Sequence, residues 1–199
     1  MAYEVEMKAW VDDWDAMEAR LRGMCRFIRD FRKDDRYYLV NPEPATEPGD
    51  GASGAGRSER GFRVRVDAGR ACVTFKRKER HRRAEINMER EFEVDDVEAF
   101  NELMRRIGLE PQFTKVKEGL EFEHDGLVIE LVHVRELGDF LEVECVDERD
   151  DASAHQAAAQ RIEGFFTRCG VDPERIESAP YMKLLRRIRS GPTDAGRAT

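Results

Sequence analysis

Tyr3-Glu4-Val5-Glu6-Met7-Lys8-Ala9-Trp10 alternates without a break. In an extended chain Tyr3, Val5, Met7 and Ala9 fall on one side, and Glu4, Glu6 and Lys8 on the other. The period of two predicts a strand with one apolar and one charged face. The same spacing recurs in Arg63/Arg65, Lys76/Lys78, Glu89/Glu91, Lys115/Lys117 and Glu142/Glu144, and Glu130 stands on the penultimate strand. These pairs are segregated by sign, whereas a solvated strand face usually mixes acids and bases. Two arrangements give the pattern: an open antiparallel sheet with a wet, charged face, or a closed barrel with a charged interior. For any one strand the first is the commoner. In the second, buried charges must be paired or bound to ions. Lys and Arg would meet phosphate oxygens and carboxylates would hold Mg²⁺ or Mn²⁺, so such an interior suits a polyphosphate bridged to a divalent cation.

Outward from these strands, Asp12 or Asp13 caps a helix with the stripe Trp14, Met17, Leu21 and Met24. Residues 25–40 read as one or two strands ending in Tyr37-Tyr38-Leu39-Val40. Residues 41–61 are rich in Pro, Gly, Ala and Ser and read as a flexible loop insertion. Phe62 to Val66 and Cys72 to Lys78 form a hairpin about a turn at Asp67 to Arg70. Arg80 to Arg83 read as a basic loop before a strand at 86–94. A helix at 96–107 carries the stripe Val97, Phe100, Leu103, Met104 and Ile107 and stops at Gly108. Strands at 112–123, 127–135 and 139–147 turn at Gly126 and Gly138. Helices at 153–169 (Ile162, Phe165, Phe166) and 180–189 (Tyr181, Leu184, Leu185, Ile188) complete a single domain, 1–189, before a disordered tail at 190–199. Strands and helices do not alternate regularly, so the fold class is α+β with antiparallel pairing.

The 199 residues suffice for one sizeable domain. Charged residues make up 38%, well above the usual quarter, and the formal charge is −8. That balance argues against a general nucleic-acid or membrane-surface binder. No apolar stretch approaches the ~18 residues of a membrane span, and MAYEVEMKAW does not read as a signal peptide. Cys25, Cys72, Cys145 and Cys169 are scattered, without Cys-x-x-Cys, and read as reduced core thiols of a cytoplasmic protein. The four His are equally dispersed, and no P-loop or G-x-G-x-x-G is present.

Glu4-Val5-Glu6-Met7-Lys8 resembles the E-x-E-x-K signature of the CYTH superfamily, the triphosphate tunnel metalloenzymes. The order of further pieces resembles that family too: Asp35-Arg36-Tyr37-Tyr38, Phe62-Arg63-Val64-Arg65, Thr74-Phe75-Lys76, Glu89/Glu91/Glu93 without the family's leading Arg, Lys115-Val116-Lys117, Leu137 to Glu144, and Tyr181 with Leu184 and Leu185. The match spans about residues 3–188 and looks most like the class IV adenylyl cyclase branch. It implies an antiparallel eight-stranded tunnel with a charged lumen flanked by helices. Its ligand would be a nucleoside triphosphate, an organic triphosphate or tripolyphosphate, with Mg²⁺ or Mn²⁺. By position, Glu4, Glu6, Glu142 and Glu144 would bind metal. Lys8, Arg63, Arg65, Lys76, Lys115 and Lys117 would bind phosphates, with Glu89 and Glu91 in support. Lys8, Glu6 and Glu130 are the candidate catalytic groups. Many relatives carry Asp where this chain has Val132; Glu130 shares that strand face, and His133 points to the other. The implied activity is cyclisation of ATP to cyclic AMP and pyrophosphate. Hydrolysis of an inorganic or thiamine triphosphate and a non-catalytic binding role are the alternatives. Relatives are often dimers, which implies a homodimer.

Overall fold

The computed structural model describes residues 3–39, 61–81, 84–147 and 151–190. In order these form β1 (Tyr3–Trp10), α1 (Trp14–Met24), β2 (Arg26–Leu39), β3 (Gly61–Asp67), β4 (Arg70–His81), β5 (Ala84–Val94), α2 (Val97–Arg106), β6 (Phe113–His124), β7 (Leu127–Val134), β8 (Gly138–Asp147), α3 (Ala152–Arg168), β9 (Ile176–Glu177) and α4 (Tyr181–Arg189). Side chains of 76–81, 84–89 and 147 lie outside the described ones.

All strands join one antiparallel sheet in the order β5-β4-β3-β2-β6-β7-β8-β1-β9. One edge of β1 pairs with β8 along its whole length. Its other edge is divided: Tyr3–Glu6 pair with β5, and Lys8–Ala9 with β9. Following the pairings from β1 through β5 therefore leads back to β1 after eight strands. The described sheet has nine strands where the resemblance implied eight, because the two-residue β9 fills the part of the β1 edge that β5 leaves open.

Local chemistry explains the elements. Asp13, Asp96 and Asp151 cap α1, α2 and α3, accepting from Ala16, Ala99 and Ala154 backbone N–H groups at 3.0, 2.9 and 2.7 Å. Ala68-Gly69 and Asp125-Gly126 have positive φ at both positions, the geometry of two-residue turns that match strand twist. Gly119 permits a close strand approach: a Cβ there would lie 2.2 Å from the Leu131 carbonyl oxygen.

Directly opposed residues share a sheet face. Ala9, Leu141, Leu131 and Leu120 are so aligned, and this apolar face packs against α1 and α3 through Leu21, Ile162, Phe165 and Phe166. Tyr38, Val64 and Val73 meet Met104 and Phe100 of α2. The opposite face carries the charges, and α4 packs on part of it, with Tyr181 and Leu184 against Val132, Val134, Phe140 and Phe31.

Several expectations are corrected. Of the one or two strands expected at 25–40, the described residues form one, Arg26–Leu39, with an irregularity between Phe27 and Arg29. Arg80 and His81, expected in a basic loop, belong to β4, and residues 82–83 lie outside the described ones. On α2, Leu103 and Ile107 are exposed, and Asn101 is buried instead because the Tyr38 hydroxyl donates to its Oδ1 at 2.9 Å. Ile188 is likewise exposed. Cys145 and Cys169 are buried, but Cys25 and Cys72 only half so. The 41–61 loop, apart from Gly61, and the tail beyond Ser190 lie outside the described residues. No helix among the described residues is long and apolar enough to cross a membrane.

Candidate functional site

The charged face can be followed strand by strand through its register. Lys8 lies opposite Glu142, Glu142 opposite Glu130, and Glu130 opposite Glu121. Lys115, six residues before Glu121 on the same strand and so on the same face, lies opposite Asp35, and Asp35 opposite Arg65. Arg63 faces Thr74, and Thr74 faces Glu91. The pairing thus gathers charges from seven strands, and Thr74 from the eighth, on one face.

Asp35 is the first node. It is 1% exposed. Arg65 grips it in a fork, Nε to Oδ1 at 2.7 Å and Nη2 to Oδ2 at 3.0 Å. Lys115 Nζ lies 3.1 Å from Oδ2, and the Tyr37 hydroxyl donates to Oδ2 at 3.3 Å. Burial alone would raise the Asp35 pKa, but Arg65 and Lys115 outweigh it and hold the carboxyl well below its ordinary range. Burial likewise opposes the Arg65 charge, which Asp35 more than restores.

Glu130 is the second. Glu130 and Glu142 are register partners whose like charges would repel. Lys117 resolves this by bonding to both, at 2.9 Å to Glu130 Oε2 and closely to Glu142 Oε2. Lys33 bonds to the other Glu130 oxygen. Burial pushes Glu130 up, yet Lys117 and Lys33 hold its pKa below the usual carboxylate range. Burial pulls Lys117 down, and Glu130 and Glu142 overcompensate. For Lys33 burial dominates, and its pKa falls.

Arg63 opens a third cluster. Its Nη2 donates to Thr74 Oγ1 at 3.1 Å, and Thr74 donates to Glu91 Oε1 at 2.6 Å. Arg63 Nε is buried without a hydrogen-bond partner among the described residues, a donor left for another group. Lys8 is 5% exposed and takes part in none of the ion pairs above. Its ammonium instead lies 5.1 Å from the centre of the Tyr181 ring.

The structure thus brings together Lys8, Arg65, Lys115, Lys117, Glu130 and Glu142, with Arg63 and Glu91 adjoining. Glu4, Glu6 and Glu144 are half-buried, and Glu6 directly faces Glu144 across β1 and β8. Lys76 and Glu89 are register partners in the backbone, but their side chains, and with them their assigned roles, lie outside the described residues. Lys33, Asp35, Tyr37 and Tyr181 join the site beyond the residues assigned from the sequence. The first three share the parity of Phe31 on β2, the signal that would have found them. Val132 is fully buried among Phe31, Phe140, Tyr181 and Leu184. His133 does point to the other side, half-exposed, with Nδ1 2.7 Å from Asp139. An open cavity of about 720 Å³ adjoins Arg29, Phe31, Asp67 and Glu118. It is lined by none of the assigned phosphate ligands, and its Arg29 is already satisfied by Asp67 and Glu121.

No protein-family model matches this chain, and no curated protein does. Solved structures do. A Pyrococcus horikoshii protein shares 23% identity over 92% of this chain and 98% of its own, with a TM-score of 0.74. A proposed adenylate cyclase of Vibrio parahaemolyticus shares 15% over 93% and 98%, with a TM-score of 0.72. A proposed adenylyl cyclase of Hippeastrum, whose dominant activity is that of a triphosphatase, shares 13% over 94% and 95%, with a TM-score of 0.62. The chain shares the fold of these solved structures.

Does this sheet offer a divalent cation suitable ligands? Among the described residues no three Asp, Glu, His or Cys side chains are grouped to hold one alone. Mg²⁺ seldom needs that, being bound through one or two carboxylates together with substrate phosphates. Glu6 and Glu144, opposed on adjacent strands, supply such a pair of hard oxygen donors. Glu142, assigned to metal from its position, is engaged with Lys117 here. The donor set therefore fits an ion shared with a phosphate.

Proposed function

We propose that the eight mutually paired strands wall a tunnel, and that the protein binds a triphosphate on the charged inner face and cleaves it with Mg²⁺ or Mn²⁺. What carries this reading is the gathering of Lys8, Lys33, Arg63, Arg65, Lys115 and Lys117 on one largely buried face. Cations so gathered can meet an anion, and a phosphate chain is the anion that spans several at once.

The order of motifs supports ATP cyclisation, as in class IV adenylyl cyclases. Lys8, Arg65, Lys115 and Lys117 would hold phosphate oxygens and stabilise the charge that develops on the leaving group. The ribose 3′-oxygen would attack the α-phosphorus in line, the bond to the β-phosphate oxygen would break, and pyrophosphate would leave. A bound Mg²⁺ or Mn²⁺ would supply charge neutralisation at the phosphate oxygens. Glu6, Glu144 and Glu4 would hold it. Of the two carboxylates weighed as proton acceptor, Glu130 is held ionised by two lysines and is a weak base. We assign the proton to Glu6.

Hydrolysis of the terminal phosphate is a second reading, favoured by one observation. The apolar side chains beside the cations on that face, Val132, Phe140, Tyr181 and Leu184, are packed against one another rather than around an open seat for a nucleobase. Water and a phosphate chain need no such seat. A reduced, cytoplasmic setting, a homodimer, and no role for nucleic acid or membrane belong to the same proposal.

Product analysis tests it. Purified protein is incubated with ATP, tripolyphosphate and thiamine triphosphate, each with Mg²⁺ or Mn²⁺ and with a chelator. Cyclic AMP with pyrophosphate supports the cyclase; orthophosphate without cyclic AMP supports the hydrolase. Binding without product leaves a binding protein and overturns both. Glu6→Gln and Glu144→Gln are expected to abolish metal-dependent turnover while leaving the melting temperature within a few degrees; retained turnover at saturating metal sinks their assignment.

A further inference from the structure

Tyr181 is the first residue of α4, delivered to the charged face by Pro180, whose φ is −59°. Its ring meets Phe140 edge-on, at 4.8 Å between centroids and 83° between planes. Three ammonium groups surround it: Lys8 and Lys115 at 5.1 Å and Lys117 at 5.7 Å from its centre. These come from β1 and β6, which are not neighbours in the sheet. The ring is therefore a common contact of three like charges that the backbone does not bring together by pairing. No other aromatic ring among the described residues lies beneath more than two cations.

The chemistry of that contact is specific. Lys115 is also paired with Asp35, and Lys117 with Glu130 and Glu142, so of the three only Lys8 is absent from the ion pairs described above. A tyrosine face attracts each cation through its quadrupole and leaves the full charge in place. For Lys8, with no ion pair among those described above, the Tyr181 ring is the group its ammonium lies against. The ring is held in turn by Phe140 and by the α4 packing of Leu184 against Val132 and Val134. Its hydroxyl makes no hydrogen bond within normal limits, though Glu142 and Glu6 lie near enough to add to the upward push of burial on its pKa.

We infer that Tyr181 is a positioning residue: its ring seats Lys8, Lys115 and Lys117 together as a preformed cradle for a phosphate chain, so that α4 is part of the binding apparatus rather than only a cover. This rests on the triphosphate reading above. The ring does the seating; the hydroxyl does not.

The test compares Tyr181→Phe with Tyr181→Leu. The chain has seven lysines, few enough to assign their ¹³Cε signals individually. In the wild type, the Lys8, Lys115 and Lys117 signals should show ring-current shifts and should move on adding tripolyphosphate. Tyr181→Phe should keep those shifts and bind tripolyphosphate within about threefold of wild type. Tyr181→Leu should lose all three shifts together and bind at least tenfold more weakly. Tripolyphosphate affinity in Tyr181→Leu equal to wild type, or a Phe variant as defective as Leu, overturns the inference. A wild-type protein that binds no tripolyphosphate overturns the functional reading itself and the role of Tyr181 with it. Should Tyr181→Leu not fold, the Phe variant and the wild-type ring-current shifts still decide: absent shifts, or a Phe variant that binds tenfold more weakly, overturn the seating.

Discussion

Asp35 receives a bidentate arginine, a lysine and a tyrosine hydroxyl in a place almost closed to water. Removing its charge leaves Arg65 and Lys115 facing each other without an anion. Asp35→Asn is therefore expected to cost about 3–5 kcal/mol, the usual penalty for breaking a buried pair, read by urea unfolding at neutral pH. The pH dependence has a definite sign. The folded pKa is depressed, so the stabilisation is complete above the ordinary aspartate value of about 3.9 and is lost as pH falls below it towards the folded value. The gap between wild type and Asp35→Asn should be flat above about pH 5 and close below about pH 4; a gap unchanged in acid removes Asp35 from this role. Val132 makes the opposite point. Placing Asp there would bury a carboxylate among Phe31, Phe140, Tyr181 and Leu184. Val132→Asp should destabilise by about 2–5 kcal/mol without adding turnover. Gained turnover in a stable Val132→Asp protein would show that α4 yields at this point.

The elements show which parts of the fold local sequence could specify. The hairpins were legible because Gly69 and Gly126 supply turns at fixed places between alternating runs. The helices were legible from their caps and stripes. The buried edge of α2 was not wholly so, because Asn101 reads as polar until the Tyr38 hydroxyl is known to need it. Lys33 escaped notice because strand parity was not carried through residues 26–39. That α4 covers the charged face was also illegible: an apolar stripe shows that a helix packs, not against which side of a sheet. Gly119 lies between these cases. A Cβ there would meet Leu131 and Val132 backbone atoms at 2.2 and 2.9 Å, whereas one at Gly23, in α1, would meet nothing within 4 Å. Gly119→Ala should lose about 1–3 kcal/mol by forcing β6 from β7, and Gly23→Ala should gain about 0.5–1 kcal/mol through helix propensity. Equal melting temperatures for the two variants would mean that the β6–β7 approach is looser than described.

For the whole molecule the question is why a chain of net charge −8 concentrates cations in its interior. Acids on the same face pair with most of them: Asp35 serves Arg65 and Lys115, Glu130 and Glu142 serve Lys33 and Lys117, and Glu91 lies 3.8 Å from Arg63. Lys8 and the Arg63 Nε atom are left without carboxylate partners among those ion pairs and hydrogen bonds. A fold that stores this residual charge is less stable empty than filled, so an anion that completes the pairing should act as a folding ligand. With tripolyphosphate at 100 times its dissociation constant, linkage gives about 2.7 kcal/mol, which for a chain of this size is a rise in melting temperature of roughly 5–11 °C. Orthophosphate at the same concentration should give a much smaller rise, since it cannot reach from Lys8 to Arg63 at once. Adding Mg²⁺ should increase the tripolyphosphate effect if Glu6 and Glu144 share the ion with it, and chelator should remove only that increment. Equal stabilisation by orthophosphate and tripolyphosphate would mean that the cations act one at a time, and the continuous phosphate track along the inner face would have to be given up.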